Sequence, residues 1–362
     1  MTTITIDTRM LNASGIGTYI RNIVPKIISS FPDVKFNLLG NRQDIIQYQW
    51  SNIENVDILD CRSPFYSIAE QIGLSQKIPK DTTVFWSPHY NIPLLYQGRL
   101  MVTVHDVFHL AMPQFVKGWH KRLYAKGMFS ALKHKADTII CISHFTAHEL
   151  QRLTGINSEK VKIIHNGISE TWFNIDKKER PHSNHYLLYA GNVKPHKNLV
   201  RLIEAFKSLA SKIPHDFLIV GKKEGFITGD VVVEKKAAEL GKRVHFTGYV
   251  NEDLLKQYVV HSDALVFPSL YEGFGLPPLE AMACGCPVVV SNIASLPEVC
   301  GNAAFYVDPY NMESVAEGIY RVLMDESLRQ SLIQKGLERA KLFSWQRSAK
   351  EHLKIFEEVL NS

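Results

Sequence analysis

The sequence predicts an α/β protein built from two doubly wound parallel-sheet domains, and three observations support this fold class. The chain has 362 residues, which is more than a single hydrophobic core usually supports. Its composition, 45% hydrophobic and 21% charged, is that of two packed cores and excludes a disordered chain. Short apolar runs alternate with helical stretches through both halves, a pattern typical of parallel sheets.

The first half contains the elements expected of one such domain. It opens with an apolar run at 3–7, a glycine turn S-G-I-G-T at 14–18 and a helical pattern that reaches Ile27. Further strands are predicted at 35–39, 83–86, 100–104, 137–142 and 161–166. Periodicity is then lost, so we predict a first domain over 1–173 and a linker over 174–185.

The same alternation restarts after the predicted linker and gives a second domain over 186–344. Its predicted strands are 186–191, 216–221, 243–248, 264–269, 287–291 and 303–308. Open parallel sheets bind ligands beyond the carboxyl ends of their strands, so we expect the two domains to face each other across a ligand-binding cleft.

Composition also bears on the compartment. No apolar run approaches the 18 or so residues of a membrane span, and the start MTTITIDTRM lacks the profile of a signal peptide. The five cysteines are an odd number and are scattered, which fits reduced thiols. We therefore expect a cytoplasmic protein.

The net charge of +5 comes from the first half, chiefly from a basic amphipathic helix predicted over 117–135. Its apolar side is predicted to carry Trp119, Leu123, Phe129 and Leu132. Its cations meet no acidic residue in the segment; they are Lys117, Lys121, Arg122, Lys126, Lys133 and Lys135. The helix is either a solvated surface or a docking face for an anionic membrane or lipid-linked acceptor. No recognition motif supports nucleic-acid binding.

The strongest local motif is Y-E-G-F-G-L-P-P-L-E at 271–280, which follows a predicted strand. Prolines suit a first helical turn, and the glycines leave neighbouring N–H groups accessible, so the segment predicts a cradle for an anion or a hydroxyl group. Glu272 is expected to lie before this cradle and Glu280 inside the first helical turn, so that two carboxylates flank one small site. For Glu280 alone, a favourable interaction with the helix dipole is the alternative.

Two further motifs also follow predicted strands. The loop G-N-V-K-P-H-K-N at 191–198 offers Lys194 and Lys197 beside a helix start, where they can neutralise a diphosphate or simply form a solvated basic loop. His105 is followed by Asp106, which could orient it. Its place at a strand end favours a functional role over a purely structural one.

Several other classes of site are disfavoured. The S-G-I-G-T turn has Ile20 where a dinucleotide-binding motif has its third glycine, and no acidic residue ends the second strand. The sequence contains no Walker motif, D-x-D or H-E-x-x-H, and Cys284 and Cys286 lack two further ligands at zinc spacing. We expect neither a metal nor a resident cofactor.

Together these motifs resemble the retaining nucleotide-sugar glycosyltransferases of the GT-B fold, in family 4 (the group 1 glycosyltransferases), and most of all the mannosyltransferase branch. The resemblance spans nearly the whole chain and includes the E-x7-E spacing of Glu272 and Glu280. It implies two Rossmann-like domains and a C-terminal helix, 345–362, that crosses back to the first domain.

The resemblance also implies residue roles. His105 and Glu272 would be catalytic. The donor-binding residues would be Gly15, Gly17, Asn192, Lys194, Lys197, Gly273, Phe274, Gly275, Leu276 and Glu280. Many family members have an arginine where this chain has Asn192, and Lys194 is the candidate to compensate for it.

The implied activity is metal-independent transfer of a sugar, by best match from GDP-mannose, to a glycan or lipid-linked acceptor in surface polysaccharide, lipopolysaccharide or glycolipid biosynthesis. A UDP-sugar donor, such as UDP-GlcNAc or UDP-glucose, is the alternative within the family. A nucleotide-sugar epimerase or a non-catalytic nucleotide-sugar-binding protein is the alternative of another class. Peripheral attachment to the inner face of the membrane would follow if the basic helix docks there.

Overall fold

A computed structural model of the chain describes residues 2–63, 65–221 and 231–361. Contacts divide the chain into two units, Met1–Gly167 with Trp345–Ser362, and Ile168–Ser344. Each unit contains one parallel sheet whose strands are joined mainly by helical crossovers, so the predicted fold class is confirmed.

The sheet of the first unit has seven parallel strands in the order β3-β2-β1-β4-β5-β6-β7. The strands are β1 (Thr3–Asp7), β2 (Lys35–Gly40), β3 (Val56–Asp60), β4 (Val84–Ser87), β5 (Arg99–Val104), β6 (Thr138–Cys141) and β7 (Val161–Ile163). The sequence predicted all of these except β3. This edge strand has no buried residue, and two of its five residues are aspartates, so its apolar signal is weaker than that of the others.

The helices of the first unit begin with α1, which packs through a face repeating every three to four residues. Tyr19, Ile23 and Ile27 of this face are fully buried against Ile4 and Ile6 of β1. The helices that precede the second unit are α1 (Ser14–Ser30), α2 (Arg42–Ile45), α3 (Ile68–Lys77), α4 (Phe108–Ala111), α5 (Trp119–Lys135) and α6 (His144–Thr154).

The sheet of the second unit has six parallel strands in the order β10-β9-β8-β11-β12-β13. The strands are β8 (Tyr186–Ala190), β9 (Asp216–Val220), β10 (Val244–Gly248), β11 (Ala264–Phe267), β12 (Val288–Ser291) and β13 (Phe305–Val307). All six were predicted: five have continuous apolar runs at their cores, and β10 has alternating apolar residues.

Seven helices of the second unit are described. They are α7 (Leu199–Leu209), α8 (Val231–Ala238), α9 (Glu252–Val260), α10 (Leu276–Ala283), α11 (Leu296–Cys300), α12 (Met312–Met324) and α13 (Glu326–Ala340). Among the described helices of either unit, none is long and apolar enough to cross a membrane.

The division between the units lies earlier than the predicted linker. The backbone N–H of Ile168 donates to the carbonyl of Phe343 at 3.2 Å, inside the second unit. The predicted linker itself also belongs to that unit, because the N–H of Lys178 donates to Gln257 Oε1 of α9 at 3.1 Å. The loss of periodicity in the sequence correctly indicated irregular backbone in this segment. It did not indicate which unit the segment belongs to, because that depends on hydrogen bonds to distant residues.

The last helix, α14 (Trp345–Asn361), belongs to the first unit and packs on α1. A buried chain of polar groups joins them: Tyr19 OH lies 2.5 Å from His352 Nε2 and 3.0 Å from Thr103 Oγ1. Because His352 Nδ1 donates to the carbonyl of Ser348 at 2.7 Å, Nε2 accepts the tyrosine proton. Burial lowers the pKa of His352 to about 4, so the ring is neutral in this network.

Candidate active site

The motifs at 191–198 and 271–280 meet at the carboxyl edge of the second sheet. They follow β8 and β11, which are neighbours in the sheet although two strands separate them in the sequence. From this pair the strand order runs outward in opposite directions, so the two loops open at the topological switch point. In open α/β sheets this point is the usual place for a ligand.

Hydrogen bonds hold the two loops together. The N–H of Leu270 donates to the carbonyl of His196 at 2.7 Å. The side chain of Asn198 donates to the carbonyls of Pro268 and Pro309, at 3.0 and 2.7 Å. Asn198 is buried and has φ +63°, a backbone conformation that asparagine tolerates better than most residues. These contacts give the two loops a defined relative position.

The two loops bring Lys197 and Glu272 into direct contact. Lys197 Nζ lies 2.5 Å from Glu272 Oε1, and both side chains keep some exposure, 17% and 12%. Lys197 Nζ also lies 5.3 Å from the ring centre of Phe267 at the end of β11. One cation and one carboxylate are therefore held side by side, and both can be reached by a small polar molecule.

The loop before α10 has its backbone shaped for close approach. Ser295 Oγ lies 2.9 Å from the carbonyl of Glu272 and 2.8 Å from that of Phe274. Both carbonyls therefore face the same hydroxyl group. Gly275 has φ +107°, and a Cβ there would lie 2.7 Å from Leu296 Cδ2. The predicted prolines do occupy the first turn of α10, where they remove two N–H groups and leave that of Leu276 without an intrahelical acceptor.

Glu280 lies elsewhere than predicted. The first turn of α10 contains no acidic residue, so Glu280 falls in the second turn and not in the first. Burial raises its pKa to about 7; Glu252 adds to this shift, and Lys256 opposes it. Lys256 Nζ is paired with Glu252 at 2.9 Å. Glu280 is thus a partly desolvated carboxyl group beside α9, a setting that the spacing of the motif could not indicate.

Two further residues predicted to bind the donor, Asn192 and Lys194, lie in the loop after β8. The carbonyl of Asn192 accepts a hydrogen bond from Tyr189 OH at 3.1 Å, which helps to shape the loop after β8. Lys194 lies directly before the short helix Pro195–Lys197. Whether Lys194 compensates for the missing arginine stays a prediction.

The S-G-I-G-T segment is not a turn but the first part of α1, and its two glycines differ. Gly17 is buried, and a Cβ there would lie 2.4 Å from the carbonyl oxygen of Leu11. Gly15 is exposed, with no heavy atom within 4 Å of its missing Cβ. A glycine is therefore required at position 17 because the helix packs closely there against the carbonyl of Leu11, which lies before α1, whereas the backbone at Gly15 is accessible.

His105 directly follows β5, as predicted, and its ring is held in a defined state. Its Nε2 donates to the carbonyl of Pro88 at 2.8 Å, so the proton of the neutral ring is on Nε2. Burial lowers its pKa to about 4. Asp106 does not orient the ring but accepts from the N–H of Phe108 at 3.0 Å, and the ring of Tyr19 packs edge-on at 5.0 Å.

Sequence reasoning missed a charged cluster at the switch point of the first sheet, between β1 and β4. Arg9 pairs with Asp7 at 2.6 Å and with Glu70 at 2.7 Å, and all three side chains are buried. His89 Nε2 lies 3.0 Å from Asp7 Oδ2. Burial alone would raise the pKa of Asp7, but Arg9 and His89 together hold it well below its ordinary value. The available signal was the D-T-R triplet directly after the first strand.

Aromatic side chains lie beside this cluster. Tyr66 is 48% exposed and has φ +63°, which is uncommon for a residue other than glycine. Its ring packs edge-on against that of Tyr124 at 5.8 Å, and its N–H donates to Glu70 Oε2 at 2.7 Å. This surface combines an exposed ring with polar groups, a combination suited to a neutral polyhydroxylated ligand.

The predicted basic helix is α5, but its apolar residues divide between two faces. Phe129 and Leu132 are buried, as predicted. Trp119 and Leu123 instead are 75% and 61% exposed, because the chain does not cover the first turns of α5 on that side. Exposed cations and exposed apolar residues therefore share one surface.

Comparisons with known proteins identify both halves of the chain. The model of the Glycosyl transferases group 1 family matches residues 170–339, and that of Glycosyltransferase Family 4 matches residues 20–172. An O-antigen chain mannosyltransferase B from Escherichia coli is 29% identical, with 73% of this chain and 71% of that protein covered. The serotype-specific mannosyltransferase WbdA from the same species is 31% identical over 76% of this chain, which spans only 33% of its length.

Among solved structures, HepE of Anabaena in complex with UDP and glucose superposes with a TM-score of 0.78. Its sequence identity is 16%, and the match covers 99% of this chain and 100% of HepE. At that identity the likeness shows the fold, which is GT-B. With both halves matched by models of glycosyltransferases, the chain belongs to the group 1 glycosyltransferases of the GT-B fold.

Proposed function

We propose that the protein transfers a mannosyl group from GDP-mannose, with retention of configuration and without a metal ion, to a glycan or lipid-linked acceptor in surface polysaccharide synthesis. The observation that carries the proposal is the pair of Lys197 and Glu272, 2.5 Å apart at the switch point beside the start of α10. A cation beside accessible N–H groups suits a diphosphate, and an adjacent carboxylate suits sugar hydroxyls.

The proposed binding mode divides the donor between these groups. Lys197 and the N–H groups of Gly275 and Leu276 bind the diphosphate, with Lys194 as a second cation. Glu272 accepts hydrogen bonds from the sugar, and Glu280 accepts those of the ribose hydroxyls. Gly273 and Phe274 complete the loop, and Asn192 shapes the facing one.

In the proposed reaction the bond between the sugar anomeric carbon and the phosphate oxygen breaks. The acceptor hydroxyl bonds to the same face of that carbon, and its proton passes to the departing phosphate oxygen. Lys197 and the N–H groups stabilise the negative charge that develops on this oxygen, so the residues supply what a metal ion supplies elsewhere. His105 has its proton on Nε2 and a lone pair on Nδ1, which we assign to a sugar hydroxyl.

The choice of mannose is supported by relatives near 30% identity that are named as mannosyltransferases. The test is a binding series with GDP, UDP, ADP and dTDP and their sugars, followed by transfer assays and NMR assignment of the anomeric configuration of the product. Lys197→Ala should weaken every diphosphate ligand by tenfold or more. A preference for UDP-sugars would show that the donor is a UDP-sugar and not GDP-mannose. A product with inverted anomeric configuration would refute retention. Free epimerised nucleotide-sugar, or tight binding without turnover, would refute a transferase.

We further propose that α5 attaches the protein to an anionic membrane surface that carries the acceptor. Trp119 and Leu123 are exposed beside exposed Lys121 and Lys126. Such a combination favours the interface of an anionic bilayer, with about 1 kcal/mol for each cation near the surface. Arg122 is left out of the test because its Nε donates to the carbonyl of Val116 at 3.0 Å and so supports the fold.

The double variant Lys121→Gln/Lys126→Gln should bind liposomes with an anionic lipid roughly thirtyfold more weakly at low salt, from about 1 kcal/mol per cation. The matched control is Lys350→Gln/Lys354→Gln, which removes two exposed cations from α14 of the same unit. Equal binding by the two double variants would leave α5 as a solvated surface and favour a soluble acceptor. Hydrolysis of the donor in solution should be unchanged in both.

A further inference from the structure

The edge of the second sheet opposite the donor loops gathers histidine and aspartate side chains. Here β8 and β9 begin, and β10 passes alongside. His182 Nε2 lies 2.7 Å from Asp216 Oδ2, and His245 Nε2 lies 3.7 Å from the same oxygen. The three ligand atoms lie within 4.8 Å of one another. These residues come from three segments that are far apart in the sequence.

We propose that His182, Asp216 and His245 bind a divalent metal ion of the zinc type. Zinc takes imidazole nitrogen and carboxylate oxygen at about 2.0–2.2 Å in a tetrahedron, which places neighbouring ligand atoms roughly 3.3–3.5 Å apart. The 2.7 and 3.7 Å separations lie on either side of that range, so small side-chain movements complete the geometry. Two imidazoles and one carboxylate favour zinc over magnesium or calcium.

The state of His245 is the second observation that points to a ligand. Its Nε2 atom is buried and has no hydrogen-bond partner among the described residues. At 3.7 Å the carboxylate of Asp216 is too far away to be one. A buried polar atom without a partner is costly, and a metal ion between His245 and Asp216 would remove that cost.

The surrounding groups hold the carboxylate in place. Asn184 Nδ2 donates to Asp216 Oδ2 at 2.9 Å, and Arg243 Nε lies 3.3 Å from the other oxygen, Oδ1. The ion would take the place of the His182 proton on Oδ2, and the neutral ring would then carry its proton on Nδ1. Partners of this kind orient the ligands of zinc sites.

A neighbouring cluster is less suitable. His185 Nδ1 and His215 Nε2 lie 2.9 and 3.6 Å from Asp263 Oδ2, but the His185 side chain is 62% exposed. The His245 side chain is 39% exposed, and the Asp216 side chain is 3% exposed against 16% for Asp263, so the carboxylate of Asp216 is better shielded from water. We therefore assign the ion to the cluster at Asp216. It would tie the segment before β8 to two strands of the sheet, away from the donor loops.

The experiment uses the full chain without a histidine tag, stripped with a chelator and then given Zn²⁺ or Co²⁺ alone. The expected results are one equivalent of zinc per chain, the visible absorption of tetrahedral cobalt, and a higher melting temperature with zinc. His245→Gln should lose all three, whereas the matched control His185→Gln should keep them. A melting curve of His245→Gln without metal, cooperative like that of the parent, establishes that this variant is folded.

Three outcomes would overturn the assignment: no retained zinc in the parent, equal zinc binding by His245→Gln and the parent, or loss in His185→Gln alone. The last would move the site to Asp263. Donor binding is measured on the same samples, and it should not depend on zinc. Failure of the zinc site is thereby distinguished from failure of the proposed transferase function.

Discussion

Glu280 is a carboxyl group whose burial should destabilise the second unit, and we predict that Glu280→Gln removes this cost at alkaline pH. Burial raises its pKa from an ordinary 4.5 to about 7, and no described group hydrogen-bonds its carboxylate. Below pH 4.5 the group is protonated in both the folded and the unfolded chain. Between pH 4.5 and about 7 only the unfolded chain has lost the proton, so stability falls as pH rises.

The magnitude follows from the change in pKa. At about 1.4 kcal/mol for each pKa unit, the rise from 4.5 to about 7 costs about 3 kcal/mol once the pH exceeds 7. For a domain of this size, 1 kcal/mol changes Tm by roughly 2–4 °C, so the expected gain is roughly 6–12 °C. Glutamine has nearly the same shape and no charge. The gain should therefore be present at pH 8 and absent near pH 4.5.

The assay is the difference in Tm between variant and parent, measured by calorimetry at four values between pH 4.5 and pH 8. Taking the difference at each pH cancels every other titration. Glu317→Gln, an exposed position on α12, is the matched control and should change Tm little at any pH. A difference that does not depend on pH, or a variant less stable at pH 8 than at pH 5, would refute the reasoning. The same variant should bind GDP more weakly, because a neutral amide replaces the assigned ribose acceptor.

Four further predictions concern catalysis and folding. Glu272→Ala and His105→Ala should each lower turnover about a hundredfold if they act where charge develops, and near-normal turnover of either would remove it from the catalytic set. Since the pKa of His105 is about 4, its titration should produce no inflection in the rate between pH 5.5 and pH 8. Tyr19→Phe should cost about 1–3 kcal/mol, read from denaturant unfolding, because it leaves the buried Nε2 of His352 without its hydrogen-bond donor; an unchanged midpoint would contradict the network. Transfer at moderate temperature should survive a chelator, even if zinc is removed from the opposite sheet edge, and loss restored by Mg²⁺ or Mn²⁺ would overturn metal independence.

Much of the fold could be predicted from the sequence because the signals are local. Short runs rich in apolar residues marked twelve of the thirteen strands, and only the edge strand β3, which has no buried residue, was missed. The prolines at 277 and 278 marked the start of α10, since they suit a first turn. The boundary between the units lies before residue 168 and not in the predicted linker 174–185, because the irregular backbone of that segment looks like a linker although it is bonded to the second unit.

The sequence by itself therefore determined the alternation of strands and helices and the residue types at the ends of β8 and β11. Only the tertiary structure decided which of these residues meet. Lys197 and Glu272 are 75 residues apart, and they pair because β8 and β11 are neighbours in the sheet. Asp7 and Arg9 meet Glu70 for a comparable reason, at the switch point of the other sheet. Periodicity and capping act over a few residues, whereas strand order brings together distant parts of the chain, and no spacing in the sequence encodes it.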